Sequence, residues 1–179
     1  RTKTPKHEKV QILFSGTITA TSGVNNALEI LQLLNKTTPS QLTIIGHTPN
    51  NSLHNKLKQL ASSDIFYKGN TSPIPHELIK AAIINADFGL ICYEVTKANQ
   101  NKFPTKLYEY LANKLPIISQ KNTSWNKTIT AVNAGIIISD NLEESSICKD
   151  FYANEDTTFA LWEEKKCTNW FKLIIEPIE

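Results

Sequence analysis

Short apolar runs alternate along the chain with segments whose apolar residues recur every three or four positions. Six of these runs are continuous rather than alternating, which is typical of strands that are buried on both faces of a sheet. We predict strands at residues 10–15, 42–46, 65–67, 88–93, 115–119 and 135–139. The long spacing between the runs leaves room for a helix after most of them.

Three segments between the runs have the spacing of amphipathic helices. Their apolar faces comprise Val24, Ala27, Leu28, Leu31 and Leu34, then Leu53, Leu57 and Leu60, then Leu78, Ala81 and Ala82. A fourth helix is predicted to start with Pro104 in its first turn, because proline has the fixed φ and missing N–H that suit this position. It runs through Leu107, Tyr110 and Leu111 and ends near Asn113.

Alternation of strands and helices predicts βαβ units, a parallel sheet and right-handed crossovers. We therefore expect one α/β domain over residues 1–179, a Rossmann-like, doubly wound parallel sheet of about six strands. Residues 141–179 are expected to form a C-terminal helical tail of the same domain. In such sheets ligands bind outside the carboxyl ends of the strands. The residues that follow the strands are Gly16-Thr17, Ser22-Gly23, His47-Thr48, Lys68-Gly69-Asn70, 94–106 and Gln120-Lys121.

Composition is that of a soluble globular protein, with 40% hydrophobic and 20% charged residues among 179. A formal net charge of +2 without a basic block disfavours nucleic-acid binding. No apolar run approaches the ~20 residues that span a bilayer, and no signal peptide is evident. Because the chain opens on Arg1 and contains no methionine, we expect it to be a piece of a longer protein.

Cysteine and arginine usage narrow the chemistry further. The three cysteines, Cys92, Cys148 and Cys167, lack metal-ligand spacing and indicate reduced thiols in a reducing compartment. Only Arg1 among 19 basic residues is arginine, so no guanidinium clamp is expected. A bound phosphate would have to be held by lysines, hydroxyls and backbone N–H groups. No carboxylate pair suited to Mg²⁺ is apparent.

The predicted fourth helix carries a lysine where the helix dipole disfavours one. Lys106 lies in its first turn, with Lys102 just ahead, and this end of a helix carries about half a positive charge. An anion from outside the chain would resolve the conflict. Alternatively, Lys106 is a solvated surface lysine whose mismatch costs about 0.3–1 kcal/mol, and Glu109 is an exposed helix residue three positions later. His47 and His76 are interpreted as loop histidines, His76 most firmly as one without a role.

The order of these pieces resembles the C-terminal, donor-binding domain of GT-B glycosyltransferases, in particular family 4 (glycosyl transferases group 1). Residues 12–34, 42–61 and 64–94 are similar to its first βα units, and "FPTKLYEYLANKLPIIS" at 103–119 is the most specific match. The resemblance covers residues 9–140. It implies glycosyl transfer from a nucleotide-diphosphate sugar, of the hexosyltransferase type, to an acceptor such as a polysaccharide or lipid-linked glycan.

The resemblance also implies roles for individual residues. Glu109 would bind the donor ribose, and the first turn of its helix would bind the diphosphate. The full set of implied donor-binding residues is Gly16, Thr17, Lys68, Gly69, Asn70, Asn101, Lys102, Pro104, Thr105, Lys106, Leu107 and Glu109. Asn101 stands where the family has its first glutamate, and Thr17 and Ser22 stand where it usually has arginine and lysine. These departures place more of the phosphate binding on Lys106, Lys102 and the Gly16-Thr17 turn.

The expected partners are the nucleotide sugar and an N-terminal acceptor-binding domain of the same protein, without which this domain would be inactive. No metal or other cofactor is expected, no catalytic residue is assigned, and no nucleic acid is expected to bind. We expect a bacterial, cytoplasmic protein of polysaccharide biosynthesis that associates peripherally with the inner face of the membrane. A non-catalytic nucleotide-sugar binding domain and half of a sugar-nucleotide epimerase are the alternatives.

Overall fold

The fold alternates strands and helices over the residues that the computed structural model describes, which are 8–96, 103–121, 124–131 and 133–138. The strands are β1 Val10–Ser15, β2 Ser40–His47, β3 Ile65–Asn70, β4 Phe88–Ile91, β5 Ile117–Gln120 and β6 Gly135–Ile138. The helices are α1 Val24–Leu34, α2 Asn51–Gln59, α3 His76–Asn85, α4 Thr105–Ala112 and α5 Asn126–Ala131, and a short 3₁₀ turn spans Ala20–Ser22.

The six strands form one parallel sheet in the order β3-β2-β1-β4-β5-β6. This confirms the predicted Rossmann-like α/β fold. The strand order reverses between β1 and β4, which pair with Ile12 opposite Phe88 and Leu13 opposite Gly89. Sheets of this kind open a crevice outside the carboxyl ends of the two strands at the reversal, and ligands bind there.

Two apolar clusters, one on each face of the sheet, explain why the strand runs are continuous. Ile12 and Phe14 of β1 pack with α1 and α2, whereas the intervening Leu13 packs with α3, α4 and α5. All three side chains are at most 1% exposed. Since successive side chains of a strand point to opposite faces, both faces must be apolar when both are covered by helices.

Strand ends differ from the prediction for identifiable reasons. β4 stops at Ile91 rather than residue 93, because the Cys92 carbonyl accepts from the Asn26 side chain at 3.0 Å instead of from a neighbouring strand. β5 begins two residues late, because Pro116 has no N–H and the Leu115 N–H donates to the Tyr110 carbonyl at 2.9 Å. Helix α5 was not predicted. The expected tail at 141–179 lies outside the described residues.

Helix α3 covers its side of the sheet incompletely. A cavity of about 420 Å³ lies between α3 and strands β1 to β3. The predicted apolar face of α3 does line it, but Leu78 is 54% exposed rather than buried. On the opposite wall, Phe66 of the edge strand β3 is 39% exposed. Apolar side chains here border an open groove instead of a closed core.

Candidate functional site

Lys106 occupies the second position of α4, and its side chain turns into the protein. Pro104 has the extended backbone of a capping residue, φ −73° and ψ 139°, so the helix begins at Thr105, one residue later than predicted. Lys106 nevertheless lies in the first turn as expected. It is only 4% exposed. The interpretation of Lys106 as a solvated surface lysine is therefore wrong.

The Lys106 ammonium is surrounded by aromatic rings rather than by acceptors. Its Nζ lies 4.1 Å from the centre of the Phe14 ring and 4.8 Å from that of Tyr93. Among the described side chains, Lys106 Nζ and Ser124 Oγ are the buried polar atoms without a hydrogen-bond partner. An ammonium with three unused donors is costly to bury, so the position is better suited to a state in which an anion is present.

Two glycines shape the crevice around Lys106. Gly16 follows β1 with φ +105°, and a Cβ placed there would lie 3.8 Å from Lys106 Cε. Gly23, with φ +87°, caps the start of α1 so close to the end of β4 that a Cβ would lie 1.8 Å from the Cys92 carbonyl oxygen. The Cys92 thiol donates to the Gly23 carbonyl at 3.2 Å. The start of α1 is thus fixed against the end of β4, and the Gly16 turn lies beside Lys106.

Burial lowers the pKa of Lys106 to about 8, although the nearby Glu109 carboxylate partly opposes the shift. Cys92 supplies no counter-charge at neutral pH, because burial raises its pKa to about 12 and keeps it a thiol. Lys106 is therefore largely protonated at pH 7 but easily loses its proton above pH 8. A cation that is buried and only weakly compensated makes this crevice attractive to anions.

The lowered pKa predicts that stability rises with pH. The unfolded chain keeps the Lys106 proton up to an ordinary lysine pKa of about 10.4, whereas the folded domain releases it near 8. The free energy of unfolding should therefore gain about 1 kcal/mol between pH 7 and pH 9 relative to Lys106→Met, which has no proton to lose. Urea denaturation of both proteins at the two pH values measures this. A constant difference would show that Lys106 does not titrate in this range.

Glu109 lies on α4 one turn beyond Lys106, and its side chain is 28% exposed. Its Oε1 is 3.9 Å from His76 Nδ1. His76 was expected in a loop, but it is the first residue of α3, with a side chain that is 64% exposed. Glu109 is thus neither a freely exposed helix residue nor within ion-pair distance of any lysine that the structure describes, and part of its side chain remains exposed.

Other predicted residues lie farther away or are already engaged. Lys68, Gly69 and Asn70 end the edge strand β3, two strands and thus about 10 Å from β1. Lys68 also lines the groove beneath α3. Leu107 is fully buried, and its N–H donates to the Pro104 carbonyl at 3.0 Å. Of the three backbone amides expected to bind the phosphates, those of Thr105 and Lys106 lie at the start of the helix, where N–H groups have no acceptor within the helix.

Of the three residues that depart from the pattern of the resembled family, the structure describes Thr17 and Ser22. Thr17 is exposed beside Gly16. Ser22 is buried, where its hydroxyl donates to the Thr19 carbonyl at 2.8 Å and accepts from the Thr19 N–H at 3.1 Å. Ser22 therefore shapes the turn before α1. Asn101 and Lys102 lie outside the described residues.

Sequence reasoning missed the aromatic residues around Lys106. Tyr93 follows β4 and packs edge-on against Trp125 with the ring centres 6.3 Å apart. Trp125 is 2% exposed and donates from Nε1 to Ser119 Oγ at 3.0 Å. Tyr93 gave no usable signal, because the sequence placed it inside the strand predicted at 88–93. Phe14 could not be distinguished from any other core residue of a strand.

No group of three or more His, Cys, Asp or Glu side chains among the described residues is arranged to hold a metal ion. None of the helices in the same part of the chain is both long and apolar enough to cross a membrane.

Comparison with known proteins gives a match to one sequence family and to solved structures of similar fold. The sequence model of the family described as glycosyl transferases group 1 matches residues 1–150. No curated protein matches the sequence.

Three solved structures illustrate the likeness in fold. AviGT4, a glycosyltransferase involved in avilamycin A biosynthesis, superposes with a TM-score of 0.59 at 12% identity over 82% of this chain and 42% of its own. The structure described as trehalose-6-phosphate from E. coli bound with UDP-2-fluoro glucose superposes with a TM-score of 0.59 at 12% identity. The match covers 92% of this chain and 41% of that one. The C-terminal domain of a glycosyl transferase group 1 protein (LpcC) from Francisella tularensis superposes with a TM-score of 0.59 at 18% identity. The match covers 93% of this chain and 87% of that one. The chain thus spans less than half the length of the first two and most of the isolated C-terminal domain.

Proposed function

Because the chain belongs to the glycosyl transferases group 1 family, we propose that it is the donor-binding half of a glycosyltransferase and binds a nucleotide-diphosphate sugar. One observation carries the proposal. The Lys106 ammonium is buried without an internal acceptor at the start of α4, in the crevice where the strand order reverses. A diphosphate is an anion that fits both the lysine and the unpaired amides of a helix N-terminus.

The rest of the donor is assigned from the position of α4. Glu109, one turn along from Lys106, would accept hydrogen bonds from the ribose hydroxyls. The Gly16-Thr17 turn borders Lys106 and would approach the phosphates from β1. The residues that end β3, Lys68 to Asn70, lie two strands farther along the same edge. They would contact a part of the donor remote from the diphosphate.

The chemistry proposed for this half is stabilisation of the leaving group. When the sugar is transferred, negative charge grows on the nucleoside diphosphate. A buried ammonium and the amides at a helix N-terminus would stabilise that charge without having to reorganise. This scheme requires neither a metal ion nor another cofactor, and we assign no catalytic nucleophile.

Nucleoside diphosphates should stabilise the domain against heat, whereas the free sugar should not. The reason is that the recognisable contacts converge on a diphosphate and a ribose. Ligand at about 100 times its Kd adds about 2.7 kcal/mol to the free energy of unfolding. A thermal-shift series with common nucleoside diphosphates, their nucleosides and free hexoses measures this effect. An unchanged melting temperature with every diphosphate at millimolar concentration would refute the proposal.

The acceptor is proposed to bind a second, N-terminal domain, so that this half alone binds nucleotide and transfers nothing. Residues 141–179 are proposed as a helical tail of the same domain. We keep the hexosyltransferase class, a role in bacterial polysaccharide biosynthesis and a site at the inner face of the membrane as further proposals from the family resemblance.

The two alternative functions differ from this one in a single measurement. A non-catalytic binding domain would bind the nucleotide sugar and leave it intact, and an epimerase half would return it altered. A transferase would move the label from a radiolabelled nucleotide sugar to an acceptor. The assay requires the complete protein together with a panel of acceptors.

A further inference from the structure

Two aromatic side chains, Phe14 and Tyr93, lie with their rings next to the Lys106 ammonium. A lysine buried in an apolar setting usually either loses its proton or finds an acceptor. Lys106 Nζ has no acceptor, yet two ring centres lie 4.1 and 4.8 Å away, within the distance at which the face of a ring attracts a cation.

We propose that Tyr93 is a positioning residue for Lys106, and that its ring, together with that of Phe14, holds the lysine charged and in place before any donor binds. Tyr93 is itself held edge-on against Trp125, which is anchored by its hydrogen bond to Ser119. The inference rests on the proposed function, since the charge so retained is the one that meets the diphosphate.

The groups that face Lys106 from the neighbouring elements offer its ammonium no hydrogen-bond acceptor. The titratable ones are the Cys92 thiol after β4, the Tyr93 phenol beside it and the Glu109 carboxylate on α4 itself. From β1 the contacts are Phe14 and Gly16, and neither of these titrates. Cys92 is neutral at pH 7. Glu109 favours the charged lysine through space, but it accepts no hydrogen bond from Nζ, and its Oε1 lies 3.9 Å from His76 Nδ1.

Substitutions at Tyr93 distinguish the effect of its aromatic ring on Lys106 from the effect of its volume. Tyr93→Phe keeps the ring, and Tyr93→Leu keeps an apolar side chain without one. In the free 179-residue chain, the titration of Lys106 is followed by NMR of its labelled ε-carbon, assigned as the signal that Lys106→Met lacks. We expect Tyr93→Phe to titrate with the parent and Tyr93→Leu about 0.5–1 pH unit lower. Tyr93→Met is the second ring-free variant if Tyr93→Leu does not fold.

The same variants should differ in their affinity for nucleoside diphosphates only at pH values at which Lys106 is partly deprotonated. At pH 8 the Leu variant should bind about two- to fivefold more weakly than the Phe variant, and at pH 6 the two should be equal, because both lysines are then charged. Equal titrations of Leu and Phe variants, or a higher pKa in the Leu variant through entry of water, would overturn the inference. Separate titrations with no diphosphate binding in any variant would uphold the role of Tyr93 and refute the proposed function.

Discussion

Lys106→Met should make the free domain more stable while removing most of its affinity for nucleoside diphosphates. The ammonium is buried without an acceptor, so its replacement by an apolar chain of similar length relieves a desolvation penalty. We expect a gain of about 1–3 kcal/mol in the free energy of unfolding at pH 7. Methionine is preferred to alanine because it fills the space beside the Phe14 and Tyr93 rings and leaves no cavity.

The loss of affinity should be confined to ligands with phosphates. A charge-assisted hydrogen bond is worth about 1.5–3 kcal/mol, so diphosphate binding should weaken by roughly 10- to 150-fold while nucleoside binding is unchanged. Lys80→Met, at an exposed lysine of α3, is the matched control and should alter neither property. Chemical denaturation and calorimetric titration measure the two effects. A less stable Lys106→Met that retains diphosphate affinity would mean that Lys106 serves the fold and not the ligand.

Glu109→Ala should weaken the binding of nucleosides and of nucleoside diphosphates by the same factor. The proposed partner of this carboxylate is the ribose, which both ligands contain. Removal of a charged acceptor should reduce both affinities by roughly 10- to 150-fold. The stability of the free domain should change little, because the contact to His76 is long and more than a quarter of the Glu109 side chain is exposed.

The contrast between the two variants is the informative result. Lys106→Met discriminates between nucleoside and diphosphate, whereas Glu109→Ala does not. Glu29→Ala, at an exposed glutamate of α1, controls for the loss of a surface charge. Isothermal titration with one nucleoside and its diphosphate is sufficient. If Glu109→Ala binds both ligands as tightly as the parent, the ribose contact is wrong even when the diphosphate site is right.

Most of the sheet could be predicted because a parallel sheet covered on both faces requires continuous apolar runs. Helix α5 escaped prediction, since Asn126–Ala131 is short and contains a single large apolar residue, Ile129. Its Ile129 packs in the same apolar cluster as Trp125, which precedes the helix. Local pattern thus identifies long elements, and tertiary contacts create the short ones.

Only the part of the candidate site that lies within one helix end could be predicted from the sequence. Pro104 and Lys106 are neighbours in sequence, so the conflict with the helix dipole was visible. The burial of the lysine was not visible, because it depends on Phe14, which lies far away along the chain and meets α4 only through the pairing of β1 with β4. Interactions between residues close in sequence could be predicted, whereas contacts between residues far apart in sequence could not.

The pairing of β1 with β4 also affects how the chain must fold. The Gln11 N–H finds its acceptor, Asp87 Oδ2, 76 residues later. During synthesis β1 can pair with β2 soon after both have emerged, but its other edge stays open until β4 follows. Such long-range pairing slows folding and leaves a strand edge exposed to other chains. The strand that forms one wall of the crevice is therefore completed late, and conditions that delay folding should favour aggregation through this edge.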